Sequence, residues 1–282
     1  MEPLPMQELT RVANQIRRDT LIIGHRVKHG HLGSSLSPVD ILAALYFWFL
    51  RTDPQDPHDQ TRDRFVLSKG HACLSLYVTL SLRGYFSHAD LDTFLQDGSL
   101  FAGHAHHHLP GIEASTGSLG HGLSLAAGMA HTGKHDGLPY RVVALLSDGE
   151  CDEGSTWEAA LSAGHHHLEN LIAIVDYNKL QAYGFTKDVL DLEPFARKWE
   201  AFGWTARETD GHNLAAITET LAAIPFTPGK PSVIIAHTVK GRGLPLLENT
   251  VDCHYVPPTD EQLAAALAAL DAASGTDDKP SV

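Results

Sequence analysis

Cysteine is scarce. The 282 residues hold three, Cys73, Cys151 and Cys253, with neither C-x-x-C spacing nor an even framework. That excludes a disulfide scaffold and reads as free thiols in a reducing cytoplasm. Cys151 and Cys253 have no clear activating base, so both are expected to serve packing. Positive charge is short as well. Lys and Arg number 21 against 34 Asp and Glu, for a formal net charge of -13. That balance argues for no nucleic acid and no anionic membrane as partners. Any phosphorylated ligand must be held by local devices: a metal ion, helix N-termini, glycine amides. No apolar run approaches the roughly 20 residues of a membrane span. The opening MEPLPMQELT is too acidic and too polar for a signal peptide. There is no internal repeat and no linker.

What is present suffices for a substantial core. Hydrophobic residues make up 43% of a chain long enough for one large α/β domain or two small ones. Apolar residues at helical spacing predict a helix over 8–27, after a loose lead. Residues 28–37 (KHGHLGSSLS) read as a glycine-rich polar loop, with Ser37 as N-cap and Pro38 opening a buried helix that runs to about Leu50. A short strand over 64–67 ends at Ser68-Lys69-Gly70-His71 and hands over to a helix. Residues 99–118 are a long loop, which inside a compact domain is usually functional or disordered. Residues 117–133 read as a helix of small residues, central or at an interface. Beyond 184 come helices over 192–202 and 214–224, strands over 204–208 and 232–236, and a loop over 239–258. Thr259-Asp-Glu-Gln262 is a capping box for a last helix. The domain is expected over 10–272, with 1–9 as lead and 273–282 as a disordered tail.

The most informative stretch is 141–184. An apolar run ends at Ser147-Asp148-Gly149, a helix follows, and a second apolar run ends at Asp176-Tyr177-Asn178. Strand, helix, strand is a βαβ unit with parallel strands. If the strands are adjacent, Asp148 and Asn178 lie just past the same sheet edge, where open α/β sheets bind ligands. A carboxylate and an amide oxygen there suit Mg2+ or Ca2+. Singly, Asp-Gly reads as a turn and Asn-Lys as a loop start. Together, with Asn178 30 residues after Asp148, they favour a metal site.

Asp-Gly followed by Asn at that distance resembles the thiamine-diphosphate signature, and its surroundings resemble transketolase. The similar motifs are Gly30-His31-x-Gly33, Leu67-Ser-Lys-Gly-His71, Leu109-Pro-Gly-Ile-Glu113, Thr116-Gly-Ser-Leu-Gly120, Glu153-Gly154 with Trp157-Glu158-Ala159, Leu168-Glu-Asn-Leu-Ile, Leu192-Glu193-Pro194, Asp210-Gly-His-Asn213 and Lys240-Gly-Arg-Gly243. They run in order over about residues 10–260. The chain departs from the usual pattern at Ser147, His121, Ala182-Tyr183 and around His254.

The resemblance implies a three-layer αβα thiamine-diphosphate-binding fold with a mostly parallel sheet. It implies Asp148, Asn178 and the Leu180 carbonyl as metal ligands. Gly149 and His71 would meet the diphosphate, and Gly117 and Leu119 the pyrimidine side. Glu153 would belong to a link between paired sites. His31, His104 and His254 would be the active-site histidines, since ketose cleavage needs protons moved at oxygen and imidazole carries them near neutral pH. The cofactors implied are thiamine diphosphate and Mg2+ or Ca2+. A transketolase chain is about twice this long, and nothing here plays the parts of its second domain. The chain therefore resembles the N-terminal subunit of a split transketolase, paired with a C-terminal pyrimidine-domain subunit in an α2β2 assembly. Together they would move a two-carbon ketol unit from a sugar or sugar phosphate to an aldose. Rival readings are the α subunit of a 2-oxo-acid dehydrogenase and a non-catalytic metal-binding scaffold. Of the nineteen histidines, His106 to His108 and His165 to His167 are expected to be surface residues. Consecutive histidines should point in different directions and make a poor single-metal site.

Overall fold

The computed structural model describes residues 2–274. Five strands form one sheet: β1 Arg64–Leu67, β2 Val142–Ser147, β3 Leu171–Tyr177, β4 Thr205–Asp210 and β5 Ser232–His237. Their order is β1-β2-β3-β5-β4, and every pairing is parallel. The helices are α1 Met6–Arg26, α2 Leu32–Leu36, α3 Val39–Ala44, α4 Cys73–Arg83, α5 Gly122–His135, α6 Gly154–His165, α7 Thr186–Val189, α8 Phe195–Ala201, α9 Leu214–Ala222, α10 Asp252–Tyr255 and α11 Asp260–Ser274.

Parallel sheets are covered on both faces, so central strands are apolar at every position. β2 and β3 are buried throughout. Successive residues point to opposite faces. Val143, Leu145, Ile172, Ile174 and Ile234 join one core with α1, α3, α4 and α9. Val142, Ala144, Leu146, Ala173, Val175 and Ile235 join a second core with α5, α6 and α8. The outcome is the three-layer αβα arrangement. Its local signals are ordinary ones. The Asn213 side chain accepts from the Ala216 N–H at the start of α9. Thr259 and Gln262 exchange side chain-to-backbone hydrogen bonds ahead of α11.

Several expectations need correction. The lead is shorter than 1–9: the chain is helical from Met6, Leu9 is fully buried, and the Leu4 N–H donates to the Phe47 carbonyl at 3.0 Å. Residues 28–37 are not all loop, because Leu32, Leu36 and the small residues between them bury as α2. Ser37 caps nothing; its hydroxyl donates instead to Asp176 Oδ2 at 2.5 Å. The small-residue helix begins at Gly122, since Gly117 to Gly120 stay extended or turned against the start of α6. Residues 273 and 274 continue α11, and the rest of the expected tail, 275–282, lies outside the described residues. The stretch Leu32–Phe49 is apolar enough over 18 residues to span a membrane by composition, but 94% of it is buried, as in a core helix.

Candidate active site

The carboxyl ends of β2 and β3 lie side by side, with Ser147 in register with Asp176. Asp148 and Asn178 follow directly. Asp148 is 1% exposed. Its Oδ1 accepts from the Gly149 N–H at 2.8 Å, and its Oδ2 from the Lys179 N–H at 2.6 Å and the Thr186 hydroxyl at 3.2 Å. Burial, reinforced by the nearby Asp176 carboxylate, pushes Asp148 up to about 6. Asn178 Oδ1 accepts from the Leu180 N–H at 3.1 Å, and the Leu180 carbonyl from Lys240 Nζ at 2.9 Å. Among the described residues no cationic side chain forms an ion pair with Asp148. A desolvated carboxylate without its own counter-ion, beside an amide oxygen and a main-chain carbonyl, is an oxygen donor set that fits a hard cation.

Beneath this edge, buried polar groups tie the loops together. Asp176, fully buried, pairs with Lys69 and accepts from Ser37 and Thr238. Burial alone would raise its pKa; Lys69 and the two hydroxyls hold it below the usual carboxylate range. Glu150, also buried, accepts from the Ser68 hydroxyl and from the Gly120 N–H at 2.9 Å. It thereby joins the turn after β1, the Gly117–Gly120 segment and the turn after β2. That segment fits tightly: a Cβ at Gly120 would stand 2.7 Å from Glu153 Cβ, and one at Gly117 2.9 Å from the His104 ring.

Imidazoles form the opposite wall. His31 stands with its ring centre 5.4 Å from His71, 6.0 Å from His104 and 5.3 Å from His254. His31 comes from the turn before α2, His71 from the turn after β1, His104 from the long loop and His254 from α10. Burial, then neighbouring cationic or imidazole groups, lowers three of them. His31 falls below 6.5, His71 well below it, and His254 to about 3. They are neutral at pH 7. Two polar atoms of this region, His254 Nδ1 and Asp152 Oδ1, are buried with no hydrogen-bond partner among the described residues. Unpaired buried polar atoms are rare in native folds, and here both residues line the same cavity.

That cavity measures about 460 Å³. Every residue singled out from the sequence lines it: His31, His71, His104, Gly117, Leu119, Asp148, Gly149, Glu153, Asn178, Leu180 and His254. Sequence reasoning gave no role to Lys69, Lys240, Asp152, Gln181 or Tyr183, which line it too. It also missed Asp176 and Glu150 below. The available signals were a lone carboxylate inside the apolar run LIAIVDY and an acidic residue directly after Asp-Gly. The two other histidine triplets stay outside the cavity. His165 ends α6 as expected. His106, His107 and His108, however, do not diverge: the His106 ring stacks on the other two, which are tilted to each other, with centres 4.2 to 5.1 Å apart.

Comparison with known proteins bears on this arrangement. Residues 9–275 match the family described as transketolase, thiamine diphosphate binding domain. An apulose-4-phosphate transketolase subunit from Phocaeicola vulgatus is 42% identical over 251 residues, which is 89% of either chain. The 6-deoxy-6-sulfo-D-fructose transketolase subunit SqwG of Clostridium sp. is 43% identical over 94% of this chain and 96% of its own. The solved transketolase of Campylobacter jejuni superposes with a TM-score of 0.90 at 31% identity; the match covers 97% of this chain and 44% of that one. The chain thus spans nearly the whole of relatives named as subunits and less than half of the solved transketolases it matches.

Proposed function

The chain belongs to the transketolase family through its thiamine-diphosphate-binding domain, and from that premise we propose that it is the diphosphate-binding subunit of a two-chain transketolase. With a separate C-terminal subunit carrying the pyrimidine domain, in an α2β2 assembly, it transfers a two-carbon ketol unit from a ketose or ketose phosphate to an aldose. Asp148, Asn178 and the Leu180 carbonyl hold Mg2+ or Ca2+. Gly149 and His71 meet the diphosphate, Gly117 and Leu119 line the pyrimidine side, and Glu153 joins the link between paired sites. When bound, thiamine diphosphate supplies the ring that stabilises the carbanion. His31, His104 and His254 bind the sugar and move protons at its oxygens. Burial keeps His31 and His254 neutral, so each can accept a hydrogen bond from a sugar hydroxyl at one ring nitrogen and donate one from the other.

One observation carries the reading: the oxygen donors after β2 and β3 and four imidazoles from separate segments open onto one cavity. The two-chain form draws support from the relatives named as subunits, which the chain matches almost end to end. It also accords with two exposed aromatic side chains, Tyr183 in the cavity lining at 87% and Tyr255 against the His254 ring at 53%. Three buried free thiols accord with a cytoplasmic setting.

The test is reconstitution. The chain and its C-terminal counterpart are assayed separately and together with thiamine diphosphate, Mg2+, a ketose phosphate and an aldose. Transfer is expected only from the mixture, and Asp148→Ala should abolish it. Full transfer by the chain alone would overturn the two-chain reading. Undiminished turnover by Asp148→Ala would favour a scaffold role instead.

A further inference from the structure

The loop between His104 and Gly117 carries a second set of imidazoles that the cavity does not use. We propose that His106, His107 and His108 form a binding site for an imidazole-preferring divalent ion of the Zn2+, Ni2+ or Cu2+ class, distinct from the oxygen site at Asp148. One ring nitrogen from each residue lies within 4.8 Å of the others, and no other trio of His, Cys, Asp or Glu among the described residues brings its donors so close. The Nδ1 atoms of His106 and His108 are 3.0 Å apart. Two nitrogens each about 2.1 Å from one ion, at right-angle to tetrahedral openings, stand about 3.0 to 3.4 Å apart. This pair is therefore already at chelating distance.

The third ring is oriented by a neighbour. Ser115 Oγ accepts the His107 main-chain N–H at 3.1 Å and lies 2.8 Å from His107 Nδ1. In the tautomer whose Nδ1–H donates to Ser115 Oγ, Nε2 carries the lone pair that an ion would take, the outer-shell arrangement usual for metal-binding histidine. Two contacts compete for these nitrogens: the His106 and His108 Nδ1 atoms are at hydrogen-bond distance from each other, so an ion must displace the proton one of them carries, and the His108 N–H reaches His106 Nδ1, long at 3.4 Å and weak. The backbone of the loop is pinned. Ala105 N–H donates to Gly70 O, Leu109 N–H to His106 O and Thr116 N–H to Ala105 O. An all-nitrogen set selects Zn2+, Ni2+ or Cu2+ over Mg2+ or Ca2+. His107 and His108 face solvent, which supplies the remaining positions. An ion here braces the loop whose two ends, His104 and Gly117, line the cavity.

The experiment is calorimetric titration of Zn2+ into the untagged full chain, with Mg2+ in excess to occupy the oxygen site and a chelator of known affinity as reference. A synthetic peptide of residues 104–110 is titrated in parallel. One Zn2+ per chain is expected, bound at least tenfold more tightly than by the peptide. His106→Ala/His108→Ala should weaken it tenfold or more, and Ser115→Ala severalfold, with circular dichroism unchanged. His166→Ala and His254→Asn should leave the affinity as it was. Affinity no better than the peptide's, or retained in the double variant, would overturn the proposal.

Discussion

Asp176 stands inside an apolar strand, fully buried, with Lys69 as its only cationic partner among the described residues. Removing one member of a buried pair leaves the other charge uncompensated, at about 3–5 kcal/mol. Asp176→Leu should therefore lower unfolding free energy by about that much in denaturant titration. Adding Lys69→Met should restore most of the loss; no recovery would mean the pair is not the cause. Gly117 offers a second prediction. A Cβ there would press on the His104 ring, and the Gly117 backbone, at φ +158°, is one that L side chains rarely adopt. Gly117→Ala should cost about 1–3 kcal/mol in denaturant titration and cut reconstituted turnover at least tenfold, since small misplacements of catalytic groups are costly. At this scale the sequence disclosed the cavity lining well. Loop residues after strand ends, such as Asp148, Asn178 and His71, announce themselves by type and place. Asp176 and Glu150 did not, because their partners Lys69, Ser68 and Gly120 come from distant segments that only the folded sheet brings beneath the site.

Elements were legible where period and burial agree. β2 and β3 are unbroken apolar runs, α11 carries its capping box, and their limits follow. The stretch 28–37 misled because glycine and serine read as loop chemistry. Here their smallness allows α2 to pack closely: a Cβ at Gly33 would lie 2.2 Å from Cys253 Sγ and 2.5 Å from its carbonyl oxygen. Gly33 thus seats α10, and with it His254, against α2. Gly33→Ala should destabilise by about 1–3 kcal/mol through overpacking and lower turnover further than stability alone explains. Chemical denaturation alongside kcat would separate the two effects; equal kcat in the variant would refute the seating role. At the other end of the chain, Thr259→Ala should cost only about 0.5–2 kcal/mol, as loss of an N-cap does.

For the whole molecule, protonation of buried imidazoles sets a pH limit. His29 is lowered to about 4 and His254 to about 3, both chiefly by burial. Unfolded, each would titrate near 6.5. Below that value the unfolded chain takes up protons that the native state refuses, so stability is full above about pH 6.5 and falls as pH drops toward 4. Carboxylates held low, such as Asp176 and Asp63, lose their contribution only further down. The melting temperature should decline between pH 7 and about 4.5, and His29→Gln should flatten that slope; an unchanged slope would assign the effect elsewhere. The C-terminal partner, as proposed, should also slow hydrogen exchange around Tyr183 and Tyr255.

The strict alternation of β2 and β3 between two cores has one more consequence. Because neighbouring residues serve opposite layers, the strands tolerate change of side chain far better than change of length. One residue added within β2 would exchange its two faces and turn the chain following it half a pleat, carrying Asp148 away from Asn178. The same addition in the exposed loop over 52–62, ahead of β1, would shift nothing that either core depends on. Insertions and deletions among descendants of this chain should therefore cluster in such loops and be absent from the two strands that present Asp148 and Asn178.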